Sequence, residues 1–187
     1  MDKGYHKIFW GLILLSFHIN LGPIQIVPGF VSWIIILTGI EILQQGFESQ
    51  GFNEGSRYAK ILLFISIVGG LISLFGGNAL NNSIIYSYLS IVVMILELLF
   101  AYKIMEGSIE ALRANEMEDK ALDLEDSQKL YTKLFTAATI GLTIAITFKM
   151  GFLMTIAAIF ALIVRIFLMS IMNNLKKIYL PPAENEQ

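Results

Sequence analysis

Residues 8–40 contain no Asp, Glu, Lys or Arg, and neither do residues 61–96. Each run exceeds the roughly 20 mainly apolar residues that carry a helix across a bilayer. A water-soluble chain of 187 residues has no core able to hide both. These runs imply an integral membrane protein with several spans. Composition agrees. The hydrophobic fraction is 56% and the mean hydropathy +0.68, above the roughly 45–50% apolar content of soluble domains. Charged residues make up 15%, against about 25% usually.

The length suits one compact bundle. A net charge of −2 with no basic patch gives nucleic acid nothing to bind. The absence of cysteine removes disulfides, thiolate-ligated metals and thiol catalysis, without fixing a compartment. Lys3 and Lys7 ahead of an apolar run imitate a signal sequence. No small-x-small cleavage site follows, so an uncleaved first span is expected.

The pattern predicts an all-α, six-transmembrane-helix bundle with spans near 5–19, 30–45, 58–77, 84–104, 130–148 and 152–173. Gly22-Pro23 and Pro28-Gly29 are turn signals, and residues 20–28 are expected to form a non-helical cap rather than a kinked helix. Residues 45–57 read as an interfacial loop, with Phe47 and Phe52 dipping into lipid headgroups. Residues 78–83 and 149–151 read as short turns. Residues 105–129 form the one large water-facing segment, rich in Glu and Asp. Met105, Ile109 and Leu112 share a helical face, as do Met117, Ala121 and Leu124, so a helix lying outside the membrane, broken near Asn115, is expected.

Orientation follows from Lys and Arg. With six spans, Lys3, Lys7, Arg57, Lys60, Lys103, Arg113, Lys120, Lys129, Lys133, Lys176 and Lys177 fall on one side and only Lys149 on the other. That places both termini and the acidic segment in the cytoplasm, with the chain in the inner (plasma) membrane. Small residues three or four apart, which let helices approach in lipid, recur as Ser66-Gly70-Ser73-Gly77, Ala137-Gly141-Ala145 and Ala157-Ala161. Packing within the chain is their expected use.

Glu41, Glu97 and Arg165 lie inside predicted spans, where a charge costs at least about 2.5–3.5 kcal/mol. Counted from the outer ends of their helices, all three are about 16–20 Å deep. Arg165 extends the Ala157-Ala161 face inward. An ion pair of Arg165 with Glu97, Glu41 or both is therefore expected, either fixing helix packing or forming a polar site for a proton, ion or solute. Glu41, one turn from Gln44 and Gln45, leans toward the structural role. His18 and Asn20, near the outer end of the first span, are minor candidates. His18 has no companion at metal-ligand spacing, so no metal or other cofactor is expected. Walker, dinucleotide-binding and nucleophile-elbow motifs are missing, the acidic segment lacks the glycine and final Glu of a calcium loop, and no Asp lies in a span. No catalytic residue is assigned.

Ile8-Phe9-Trp10-Gly11, followed by Ile24-Gln25-Ile26-Val27-Pro28-Gly29-Phe30-Val31, resembles the opening of uncharacterised small polytopic membrane proteins of Gram-positive bacteria. The likeness covers about the first forty-five residues. It implies a multi-pass fold in a bacterial membrane and carries over no activity or residue role. The expected function is non-enzymatic: an accessory or interaction component in the lipid bilayer, docking a protein partner through residues 105–129. The alternative is a small solute or ion transport component using Glu97 and Arg165. A water-lined cavity at those residues would favour transport; a dry core with an ordered acidic hairpin would favour interaction.

Overall fold

A computed structural model describes residues 1–16, 20, 21, 24, 25, 29–76 and 84–180. The described chain is all-α apart from one two-stranded turn: α1 (Asp2–Ser16), β1 (Asn20–Leu21), β2 (Ile24–Gln25), α2 (Gly29–Gly46), α3 (Gln50–Gly76), α4 (Ile84–Ala114), α5 (Glu118–Thr147) and α6 (Gly151–Ile178). Five of the six helices, α2 to α6, are long and apolar enough to cross a membrane. Strands β1 and β2 pair antiparallel, Asn20 opposite Gln25 and Leu21 opposite Ile24. The backbone there is extended, in keeping with a cap rather than a continuing helix.

Each helix packs on its neighbours in sequence, and α6 closes on α1. The result is an up-and-down ring in which the start of α1 and the end of α6 meet. There Tyr5 stacks on Tyr179, ring centroids 5.8 Å apart. Contacts from α4 link it to every other helix. Ser108 accepts a hydrogen bond from the Tyr5 hydroxyl of α1 at 2.9 Å. Phe100 meets Trp33 of α2 edge to face at 5.4 Å. Lys103 pairs with Glu54 of α3 at 2.9 Å. The Tyr102 carbonyl accepts from Gln128 of α5 at 3.0 Å. Glu97 pairs with Arg165 of α6.

Three expectations need correction. The expected interfacial loop ends early, because α3 starts at Gln50. The Ser49 hydroxyl accepts the Phe52 amide proton at 3.3 Å, an N-cap, and donates to Glu110 at 2.6 Å. Phe52 is 0% exposed rather than dipping into headgroups. It packs on Gly107, and a Cβ on Gly51 would stand 2.4 Å from the Gly107 nitrogen. These glycines are what allow α3 and α4 to touch.

The second correction concerns 105–129. The expected break near Asn115 is present, but the segment is not a helix of its own. It is the end of α4 and the start of α5, joined by a turn at residues 115–117. The Met117 amide reaches back to the Leu112 carbonyl at 3.0 Å while Glu116 takes φ 59°. That is a Schellman closure with a non-glycine residue in the left-handed position. Arg113, in the last turn of α4, holds Glu118 at 3.3 Å and Glu125 at 2.5 Å across the turn. Glu118 and Asp119 in the first turn of α5, and Arg113 at the end of α4, suit the helix dipoles.

Third, the small-residue faces are only partly packing faces. Ala145 and Ala157 are buried. A Cβ on Gly69, Gly70 or Gly141 would meet nothing within 4 Å. The close approaches occur elsewhere: Gly4 and Gly39 between α1 and α2, and Gly51 and Gly107 between α3 and α4.

Outward-facing residues are apolar over the charge-free stretches, among them Leu71, Val92, Ile95, Ile140, Ile144 and Ile163. A soluble monomer rarely exposes so much apolar surface. The hydroxyls of Thr132, Thr139, Thr143 and Thr147 on α5 each donate to the carbonyl four residues earlier, at 2.8 or 2.9 Å. These four hydroxyls are thus satisfied without water, as hydrocarbon requires.

Candidate functional site

Glu97 lies on the inner face of α4, one turn before Phe100 and Ala101, which are also buried. Arg165 lies on α6 beside buried Val164 and one turn before Leu168. The ring places α5 between these two helices, and the pair closes across the interior behind it. Arg165 Nη2 donates to Glu97 Oε2. The Glu97 side chain is 8% exposed and that of Arg165 26% exposed. Neither charge is bare. An isolated ion in a medium this apolar is prohibitively unfavourable, so pairing is what allows both to remain there.

The pair borders a central void of about 10 Å³ lined also by Tyr131, Trp33, Phe100, Phe135 and three leucines. A cavity needs roughly 10–15 Å³ by this measure to hold a single water. The site is therefore aromatic and has room for at most about one water. Like Trp33, 3% exposed, Tyr131, 1% exposed, is a residue of this cluster that sequence reasoning misses as a contributor. Its place at the edge of a predicted span suggests an interfacial anchor instead. Its i, i+4 relation to Phe135 on one helix face is the signal that points inward.

Glu41 does not join the pair. It is exposed on α2 and lines a separate cleft between α2 and α3, with Gln44, Asn53, Ser56, Arg57 and Lys60. The expectation rests on depth along the helix axis, which fixes height and not direction. Ile40, the residue before it, is the one that faces the core. His18 lies outside the described residues; the Asn20 backbone pairs with Gln25, and its side chain lies outside them too.

A second polar group joins α3 to α4. The Lys103 ammonium is shared between Glu54 at 2.9 Å and Glu106 at 2.8 Å. Glu54 lies ahead of the predicted span 58–77. The hydrogen bond from Lys103, then that from Gln50, holds its carboxyl below the usual range. Among the described residues no group of three or more His, Asp or Glu could hold a metal ion.

Fold and site together describe a helical protein with helices of membrane-crossing length and an internal ion pair. Comparison with protein-family models, with curated proteins and with solved structures found no match to this chain.

Proposed function

We propose that this chain is a six-span protein of a bacterial plasma membrane, related to the small polytopic proteins its first residues resemble. Both chain ends and the α4–α5 turn face the cytoplasm. It acts without catalysis, as an accessory or interaction component that docks a protein partner on the acidic end of the α4–α5 hairpin. The observation that carries this reading is the void of about 10 Å³ beside Glu97 and Arg165. It offers no room for a solute, which weighs against transport and leaves the ion pair as a packing device.

The hairpin itself supplies the docking element. At 1.5 Å per residue, α4 and α5 are each about 45 Å long, against a hydrocarbon core of about 30 Å. Their joined ends therefore extend about 15 Å into water on this reading, stiffened by the Arg113 pairs to Glu118 and Glu125. Asp119, Asp123 and Asp126 are exposed and present negative charge, which suits a basic surface on the partner.

Affinity purification of the chain from its native membranes tests the proposal. A protein partner is expected with the wild-type chain, and its loss with Asp119→Lys, Asp123→Lys and Asp126→Lys combined. An unchanged partner after charge reversal would overturn the docking surface. A stoichiometric bound solute in place of a partner would favour transport instead.

A further inference from the structure

The cleft between α2 and α3 plays no part in the ion-pair core. Its volume is about 660 Å³. From α3 it is lined by Asn53, Ser56, Arg57, Lys60, Ile61 and Phe64. Positions 53, 57, 60 and 64 recur at intervals of three and four and so form one stripe along the helix. That stripe rises about 16 Å, and its character changes along it. It starts with an amide, passes two cations and ends in apolar residues, with Phe64 67% exposed. From α2 come Gln44 and Glu41. The Gln44 side-chain amide donates to Asn53 Oδ1 at 2.7 Å, joining the two walls. Because the helices run antiparallel, that bond sets Glu41 at the level of Ser56 and Arg57. Glu41, Arg57 and Lys60 are all exposed, and Arg57 also lies close enough to Glu54 to favour its charged form.

Two cations on one wall, one carboxylate on the other and an apolar continuation describe an amphiphile with both charges in its head. We propose that this cleft binds the headgroup of an ethanolamine-type phospholipid. The phosphodiester sits against Arg57 and Lys60, the ammonium against Glu41, and an acyl chain runs over Ile61 and Phe64 into the charge-free part of α3. Arg offers planar donors that match phosphate oxygens, and Lys a mobile point charge. A free phosphate would use the cations alone and leave Glu41 and the apolar floor without a role. The proposal rests on the membrane reading, and goes beyond it by naming a ligand.

Thermal unfolding of the full chain in detergent, titrated separately with phosphatidylethanolamine, phosphatidylglycerol and inorganic phosphate, tests it. The ethanolamine lipid is expected to raise Tm saturably, at lower concentration than the glycerol lipid. Inorganic phosphate is expected to give no shift. Arg57→Gln with Lys60→Gln should weaken lipid affinity about tenfold or more, the scale of a lost charge-assisted contact. Glu41→Gln should abolish the preference for ethanolamine over glycerol while keeping lipid binding. All three side chains are exposed, so the variants are expected to fold. Equal shifts with both lipids, a full shift with phosphate alone, or variants that titrate as wild type would each overturn the site. A chain monodisperse in buffer without detergent would instead overturn the membrane reading itself.

Discussion

At the scale of single residues, Glu97 and Arg165 carry the most consequential contact. Removing one member of a buried pair strands the other, at a cost of about 3–5 kcal/mol. Arg165 keeps a quarter of its side chain exposed, so the lower end of that range applies. Glu97→Gln and Arg165→Met are each expected to destabilise the chain by about 3 kcal/mol in unfolding measured in detergent. The double variant is expected to lose much less than the sum, since neither charge is then left alone. Strict additivity would show that the two side chains are not coupled. This pair is legible in the sequence because the counts from the helix ends put both groups at one height. Those counts do not separate Glu97 from Glu41, which shares that height. The choice depends on rotation about the α2 axis, and that is fixed by Ser32, Trp33, Ile36 and Ile40 turning inward together.

Between elements, glycine placement decides where helices meet. Gly51→Ala would drive a methyl group into the Gly107 backbone, 2.4 Å away, with no flexible neighbour to yield. Gly70→Ala would enter open space and gain helix propensity of roughly 0.5–1 kcal/mol. Thermal unfolding in detergent is expected to show a clear loss for the first variant and none for the second. The reverse order would mean that the α3–α4 contact is misassigned. Of the small-residue stripe visible in the sequence, Ser66 does meet α2, where a Cβ on Gly29 would stand 2.8 Å from its hydroxyl, while Gly70 faces open space. Spacing alone does not say whether a neighbour arrives. The Ser49 cap is also present in the sequence, but its effect depends on Glu110, 61 positions away.

The Glu54–Lys103 link between the same two helices should respond to pH. The folded state holds the Glu54 carboxyl below its ordinary range. Its contribution is therefore full above that range and is lost as pH falls through the lowered value. Relative to Glu54→Gln, the wild-type chain is expected to be more stable at neutral pH, and the difference should vanish in acid. A difference that stays constant from neutral to acidic pH would rule out this carboxylate as its source.

For the whole molecule, the two long charge-free runs are enough by themselves to indicate a helical, lipid-compatible chain. An outward surface of Val, Ile, Leu and Phe over those stretches agrees with them. Closure of the ring and the central place of α4 are not legible in the same way. Those depend on contacts between residues as far apart as Tyr5 and Ser108, and no local periodicity encodes them. Closure also brings the start of α1 and the end of α6 together on the side of the α4–α5 turn, so one side of the membrane should hold all three. The chain contains no cysteine, which makes single-cysteine labelling direct. Lys3→Cys, Asp119→Cys and Lys149→Cys, each probed in intact cells with a maleimide that cannot cross membranes, test this arrangement. Labelling of the position 149 variant alone, with the other two reacting only after permeabilisation, is the expected result. Equal labelling of positions 119 and 149 in intact cells would contradict an α5 that crosses the membrane, and with it the six-span account.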